Sequence, residues 1–261
     1  MNPFPAHPLE DIVEWSGIPV PNPHPYSHIS AAIVVWNDPE RLEALLKHIR
    51  PWFEQICVGV QSGTIPDPTW EVANALADRT VINPVAGFGD ATFGPNVLPL
   101  VTSRWTLKLD ADEWPTEELL GSLSSATWMA EHGDEKPYDG VWIPFRSWVD
   151  GIEYEEQHAH LRLFHTRLGW PAMLHSTPPA RRNMLWHTGH VLHPRSLDEM
   201  MQDYLRYWAK GRGNAGWDAH NRAMMFNACA GTAAQKGWDY VRSFEWWPQV
   251  EAIAFKEGIP T

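Results

Sequence analysis

The chain alternates short apolar runs with amphipathic helical segments, which predicts an α/β fold with a mainly parallel central sheet. The runs are "ISAAIVVWN" at 29–37, "QICVGV" at 55–60, "TVINP" at 80–84 and "WTLKLDA" at 105–111. They are short, rich in Ile and Val, and bounded by polar residues, as strands buried on both faces are. The helical segments between them are joined by short connections, so each strand can return parallel to the last.

Residues 1–27 contain seven prolines, including "PVPNPHP". Proline fixes φ and removes a donor, so this segment reads as an extended arm. After the first strand, Asp38 can cap a helix, Pro39 suits its first position, and Leu42, Leu45, Leu46 and Ile49 recur at helical spacing. "DPTWEVANALAD" at 67–78 reads as a second helix, and "PTEELLGSL" at 115–123 starts a third with acids in its first turn. Beyond it, "DGVWIPFRSWVDG" and "HAHLRLFHTRLGW" read as longer strands turning at Asp150-Gly151. "RSLDEMMQDYLRYWAKG" is a helix with Ser196 and Glu199 as a capping box, and 217–231 is also helical. The expected organisation is an arm (1–27), an α/β half (28–126) and a mixed half with C-terminal helices (127–261).

The chain has 261 residues, enough for a substantial core, and a formal charge of -12. That field repels nucleic acid and anionic membranes as a whole. A local basic groove from Arg181, Arg182, Arg206, Lys210 and Arg212 stays open. No run reaches the roughly 20 apolar residues of a membrane span, and the N-terminus lacks the pattern of a secretory leader. With only two cysteines, Cys57 and Cys229, a disulfide framework is not expected, and the reading is a cytoplasmic protein.

The chemistry concentrates in "WTLKLDADEWPTEELL", where Asp110, Asp112 and Glu113 follow a buried strand. In open α/β sheets ligands bind beyond the carboxyl ends of the strands, and Trp36-Asn37, Gln61-Ser62 and this acidic cluster all fall there. If the strand persists through Asp112, Asp110 and Asp112 share one side, an arrangement suited to a hard cation shared with phosphates. An acid-rich helix cap is the alternative.

Taken together, "ISAAIVVWNDPERLEALLKHIRPWFEQICVGVQSGT", "WTLKLDADEWPTEELL", "HLRLFHTRLGWPAMLHSTP" and "HTGHVLHPRSLDEMMQDYLRYW" resemble, in this order, the GT-A glycosyltransferases, family 2-like enzymes in particular. The likeness covers roughly residues 29–210. It implies a nucleotide-diphospho-sugar transferase fold with helices on both faces of the sheet and a C-terminal acceptor lobe. It places Asp110 near the donor ribose or a metal, and Asp112 on Mn2+ or Mg2+ at the donor diphosphate. Trp36, Asn37 and Gln61 would lie near the base, and His193 or His175 would supply a further metal ligand. Gln61 stands where many relatives carry an Asp that reads uracil, and Ser176 stands where Glu often follows the histidine.

Inverting transfer also needs a general base, with Asp150, Glu113 and Glu153 as candidates beside Glu155 and Glu156. The expected activity is therefore transfer of a sugar from a nucleotide-diphosphate donor, a UDP-sugar, to an acceptor hydroxyl. The acceptor could be a glycan, a lipid-linked glycan, a protein side chain or a hydroxymethylated DNA base. The alternative is a GT-A-like binding module without turnover.

Overall fold

The structure, a computed structural model, describes residues 13–15, 25–62, 67–83, 92–171, 177–209 and 215–256. Most of the proline-rich arm and His175 lie outside the described residues. The chain divides into two compact units, one joining 10–145 with 157–193, the other containing 146–156 and 194–261. The division drawn from the sequence at position 126 falls inside a helix, described next.

In the larger unit, β1 (Val13–Trp15), β2 (Ile29–Val35), β3 (Ile56–Gln61), β4 (Arg79–Asn83) and β5 (Trp105–Asp110) alternate with α1 (Pro39–Ile49) and α2 (Pro68–Leu76). There follow β6 (Trp114–Pro115), α3 (Glu117–His132), β7 (Gly140–Val149), β8 (Ile152–His165), β9 (Asn183–Trp186) and β10 (Val191–Arg195), of which 146–149, 152–156 and 194–195 belong to the smaller unit. The sheet order is β1-β9-β7-β8-β5-β2-β3-β4. β2 runs parallel to β3 and β5, and β3 to β4, while β5 and β8 are antiparallel. The mainly parallel α/β sheet expected from the sequence is thus present.

The predicted caps hold. Asp38 accepts from the Arg41 amide and Asp67 from those of Thr69 and Trp70, with Pro39 and Pro68 opening α1 and α2. Such caps satisfy donors that no helical carbonyl reaches, worth about 1 kcal/mol each. The third helix starts later than expected. Pro115 belongs to β6, which pairs antiparallel with β10, and Thr116 caps α3 through the Leu119 amide.

Strand alternation sorts the core onto two faces. Ile33, Val35, Ile56, Val58, Leu107 and Leu109 pack on Leu42, Leu45 and Leu46 of α1 and Leu119, Leu120 and Leu123 of α3. The opposite face carries Ala32, Val34 and Cys57, covered by Phe93, Val97, Leu98 and Trp170. Helices were expected on both faces. On this second face the cover includes a π-helical turn at Phe93–Val97, a form that recurs near functional sites. It sits close because Gly59 and Gly94 are glycines: a Cβ on either would collide with Val97 and with the Trp170 backbone.

The smaller unit holds α4 (Leu197–Ala209), α5 (Ala215–Lys236), α6 (Trp238–Arg242) and α7 (Trp247–Lys256). Leu197, Met201, Cys229, Val241, Trp246 and Val250 form its core. The capping box is made: the Glu199 amide donates to Ser196 Oγ, and the Ser196 amide to the Glu199 carboxylate. Both cysteines are free and buried, and burial pushes each thiol up to about 12. Among the described residues no helix is long and apolar enough to cross a membrane.

Candidate functional site

The second sheet face gathers the polar groups. Period-two alternation sends Lys108 and Asp110 of β5 to the side that carries Phe93 and Trp170. Gln61 of β3 and Asn83 of β4 lie at the carboxyl ends of neighbouring parallel strands, directly paired in register. This is the end of the sheet where α/β proteins bind ligands.

Lys108 is fully buried, and its Nζ donates to Asp110 Oδ1 at 3.0 Å and Oδ2 at 3.3 Å. The ammonium also lies 5.8 Å from the Phe93 ring centroid and 5.5 Å from that of Trp170. Aromatic faces and a carboxylate together offset the cost of a dry ammonium. Arg162 of β8 donates to Asp110 Oδ2 at 3.1 Å and also to Glu113. Its guanidinium stands 5.2 Å from the Phe145 ring.

The strand ends at Asp110, not Asp112, so simple alternation does not align the two aspartates. Residues 111–112 turn, and Glu113 folds back: its amide donates to the Asp110 carbonyl at 3.0 Å, and its carboxylate accepts the Asp110 amide at 2.9 Å. Glu113 is 3% exposed. Burial pushes its carboxyl up to about 7, with Arg162 pulling it down and Asp110 pushing it further up. For Asp110, burial acts upward too, but Lys108 and Arg162 outweigh it and hold the group well below the usual carboxylate range. One buried and one half-buried cation and two acids thus clamp the turn.

That clamp positions Asp112. β6 follows it and is anchored by His48, whose Nε2 lies 2.8 Å from the Pro115 carbonyl and whose ring stacks on Trp114. β10 pairs β6 at Val191 and Leu192. One residue on, His193 Nε2 lies 3.0 Å from Asp112 Oδ2. This is hydrogen-bond distance, and it also matches the roughly 3 Å between two ligand atoms at right angles around an ion with about 2.1 Å bonds. Among the described residues no three His, Cys, Asp or Glu side chains form such a group. Asp110 is already bound to its two cations, and Asp112 with His193 could hold an ion only together with other ligands.

Trp36 and Asn37 follow β2 directly, and Trp36 is 49% exposed. Asn37 adopts φ 49°, a left-handed turn that Asn tolerates well, leading into the Asp38 cap. Gln61 is buried, its Nε2 donating to Thr92 Oγ1 at 2.7 Å. Gln61 Oε1 and Asn83 Nδ2 find no partner among the described residues. Each such buried group costs about 1–3 kcal/mol.

Of the candidate bases, Asp150 lies in the smaller unit and serves its packing. It accepts from the Leu197 amide at 3.2 Å and the Tyr240 hydroxyl at 3.3 Å, with Lys236 3.6 Å away. The side chain of Glu153 lies outside the described residues, as does His175. Sequence reading missed Lys108, Arg162, Asn83 and Thr92. A lone lysine inside the apolar "WTLKLD" and a lone arginine in "HLRLF" were the available signals for the first two.

No protein-family model and no curated protein matches the chain. Among solved structures it is similar to S. aureus TarS 1-349 in complex with UDP, at 14% identity over 85% of this chain and 77% of that chain, with TM-score 0.46. The mannosyltransferase PcManGT from Pyrobaculum calidifontis, in complex with GDP-Man and Mn2+, is similar at 16% identity over 90% of this chain and 83% of that one, with TM-score 0.46. Glucosyl-3-phosphoglycerate synthase from Mycobacterium tuberculosis, in complex with phosphoglyceric acid, is similar at 12% identity over 73% of this chain and 82% of that one, with TM-score 0.45. Likeness at this level assigns no role to any residue.

Proposed function

We propose that the chain is a metal-dependent GT-A glycosyltransferase. It moves a sugar from a nucleoside-diphosphate donor, a UDP-sugar, to an acceptor hydroxyl on a glycan or a hydroxymethylated DNA base, with inversion. The observation that carries the proposal is the Asp112–His193 pair, 3.0 Å apart at the carboxyl end of a mainly parallel sheet. A Mn2+ or Mg2+ ion held there would neutralise the charge that builds on the departing nucleoside diphosphate. His175 is the alternative imidazole ligand.

The chain's own residues do the rest. Trp36 offers an exposed ring for a flat or apolar donor surface, with Asn37 beside it. Asp110, partly exposed and fixed by Lys108 and Arg162, presents a rigid acceptor to a donor hydroxyl. Glu113 positions the turn through its bonds to Arg162 and the Asp110 amide.

A binding module without turnover is the second reading. It is favoured by Asp150, whose carboxylate is committed to capping α4. A thermal-shift panel of UDP-, GDP-, CDP- and TDP-sugars, with and without Mn2+, tests the donor reading. A ligand at a hundred times its Kd stabilises by about 2.7 kcal/mol. The expected result is a rise in Tm of a few degrees that requires both Mn2+ and the nucleotide sugar. A flat response across the panel would overturn it.

A further inference from the structure

Asp112 and His193 come from segments far apart in the chain, and the clamp fixes only the first. Asp112 lies between Asp110 and Glu113, both bonded to Arg162. His193 arrives on β10, which meets this region through β6, pairing Val191 with Pro115 and Leu192 with Trp114. That ladder is weak by construction. β6 is two residues long, and one of the two is a proline, which has no N–H to give. Two bonds extend it: the Thr116 amide donates to the His190 carbonyl at 3.0 Å, and the His190 amide to Thr116 Oγ1 at 3.2 Å. A slip of one residue moves a strand by about 3.3 Å. That is enough to part Asp112 Oδ2 from His193 Nε2, which stand 3.0 Å apart.

His48 supplies what the ladder lacks. It sits in the last turn of α1, whose apolar side is buried in the core. A carbonyl only accepts, so the His48 Nε2–H donates to the Pro115 carbonyl, at 2.8 Å. The imidazole also stacks on Trp114, with ring centroids 4.2 Å apart and planes 17° from parallel. Trp114 packs on the same core as α1. Both residues of β6 are thus tied to a packed helix by contacts that do not involve β10. We infer that His48 is a positioning residue for metal binding: by pinning β6 to α1 it sets the register of β10, and with it the place of His193 beside Asp112. The inference rests on the metal pair proposed above. His48 acts through a backbone carbonyl and an indole ring, so its removal weakens the hold on the ion without taking away a ligand.

Electron paramagnetic resonance of free Mn2+, titrated with the full chain in the presence of UDP, tests the inference, with urea unfolding in the absence of metal beside it. His48→Ala should weaken Mn2+ binding by about tenfold or more, the low end of the range for groups that orient metal ligands. His48→Phe keeps the stack and loses the bond, and is expected to bind Mn2+ more weakly than wild type and more tightly than His48→Ala. It decides the matter if His48→Ala does not fold. Ile56→Val, a core change on β3, should lower stability and leave Mn2+ affinity unchanged, which separates positioning from general loosening. In a His193→Ala background His48→Ala should have no further effect, because the imidazole it places is gone. Equal Mn2+ affinity in wild type and the folded His48 variants would overturn the inference. So would an undiminished effect of His48→Ala once His193 is removed, or an equal loss in Ile56→Val. If the wild type binds no Mn2+ with UDP, the metal reading itself falls and takes the inference with it. Wild-type binding that the His48 variants leave intact sinks the inference alone.

Discussion

Arg162→Ala is expected to destabilise the protein by about 3–5 kcal/mol, read from urea unfolding, because it leaves two acids without their shared cation. Arg162 pairs with both Asp110 and Glu113, and the side chains of Arg162 and Glu113 are 12% and 4% exposed. Lys108 remains hydrogen-bonded to Asp110, but it reaches Glu113 only through its field. The sign of the pH dependence follows from Glu113, whose carboxyl is raised from 4.5 to about 7, burial being the largest cause. A raised acid favours the folded state most below its unfolded value, and that contribution is lost as pH rises through the folded one. Removing Arg162 lifts the folded value further, so the variant's deficit should be larger at pH 8 than at pH 5.5. The double replacement Arg162→Met with Glu113→Gln should recover much of the loss, since it removes both charges together. A deficit under about 1 kcal/mol at pH 8 would mean that the clamp is not buried as described.

The second large effect concerns the metal. Asp112→Asn and His193→Ala are each expected to weaken Mn2+ binding in the presence of UDP by at least about 10–100-fold, the range seen when even supporting groups of a metal site are removed. Electron paramagnetic resonance of free Mn2+ reads this directly, without an acceptor. Asp110→Asn should change it less, because both Asp110 oxygens are turned to Lys108 and Arg162. If Asp110→Asn abolishes Mn2+ binding while Asp112→Asn spares it, the ligand assignment is reversed.

Much of this was legible in the sequence for physical reasons. Short, β-branched runs such as "ISAAIVV" bounded by polar residues read as strands buried on both faces, and Asp38-Pro39 and Asp67-Pro68 announce helix starts through cap chemistry. Local signals also fixed the capping box at Ser196. What local signals could not give was long-range pairing. Pro115 read as a helix start, because nothing nearby indicates that β10, some 75 residues on, pairs with it. The same distance hid the meeting of His193 with Asp112, which was implied only by family likeness. Strand alternation would point Glu113 away from Asp110, but the strand stops at Asp110 and the turn brings it back. Lys108 and Arg162 carry no local signal of burial, since a charged residue within a strand is ordinarily placed at the solvent side. Only the cover of Phe93 and Trp170 on the second face shows that Lys108 is inside.

The most direct test of the central claim is release of nucleoside diphosphate from nucleotide sugars, comparing wild-type protein with Asp112→Asn. With Mn2+ present, the wild type should release the diphosphate from at least one donor, slowly to water and faster once an acceptor is supplied. Asp112→Asn should lose that release by about 10²-fold or more, as removal of transition-state charge stabilisation does, while its urea unfolding stays close to wild type. Equal release by the two proteins, or release that chelation of the metal leaves unchanged, would contradict the account.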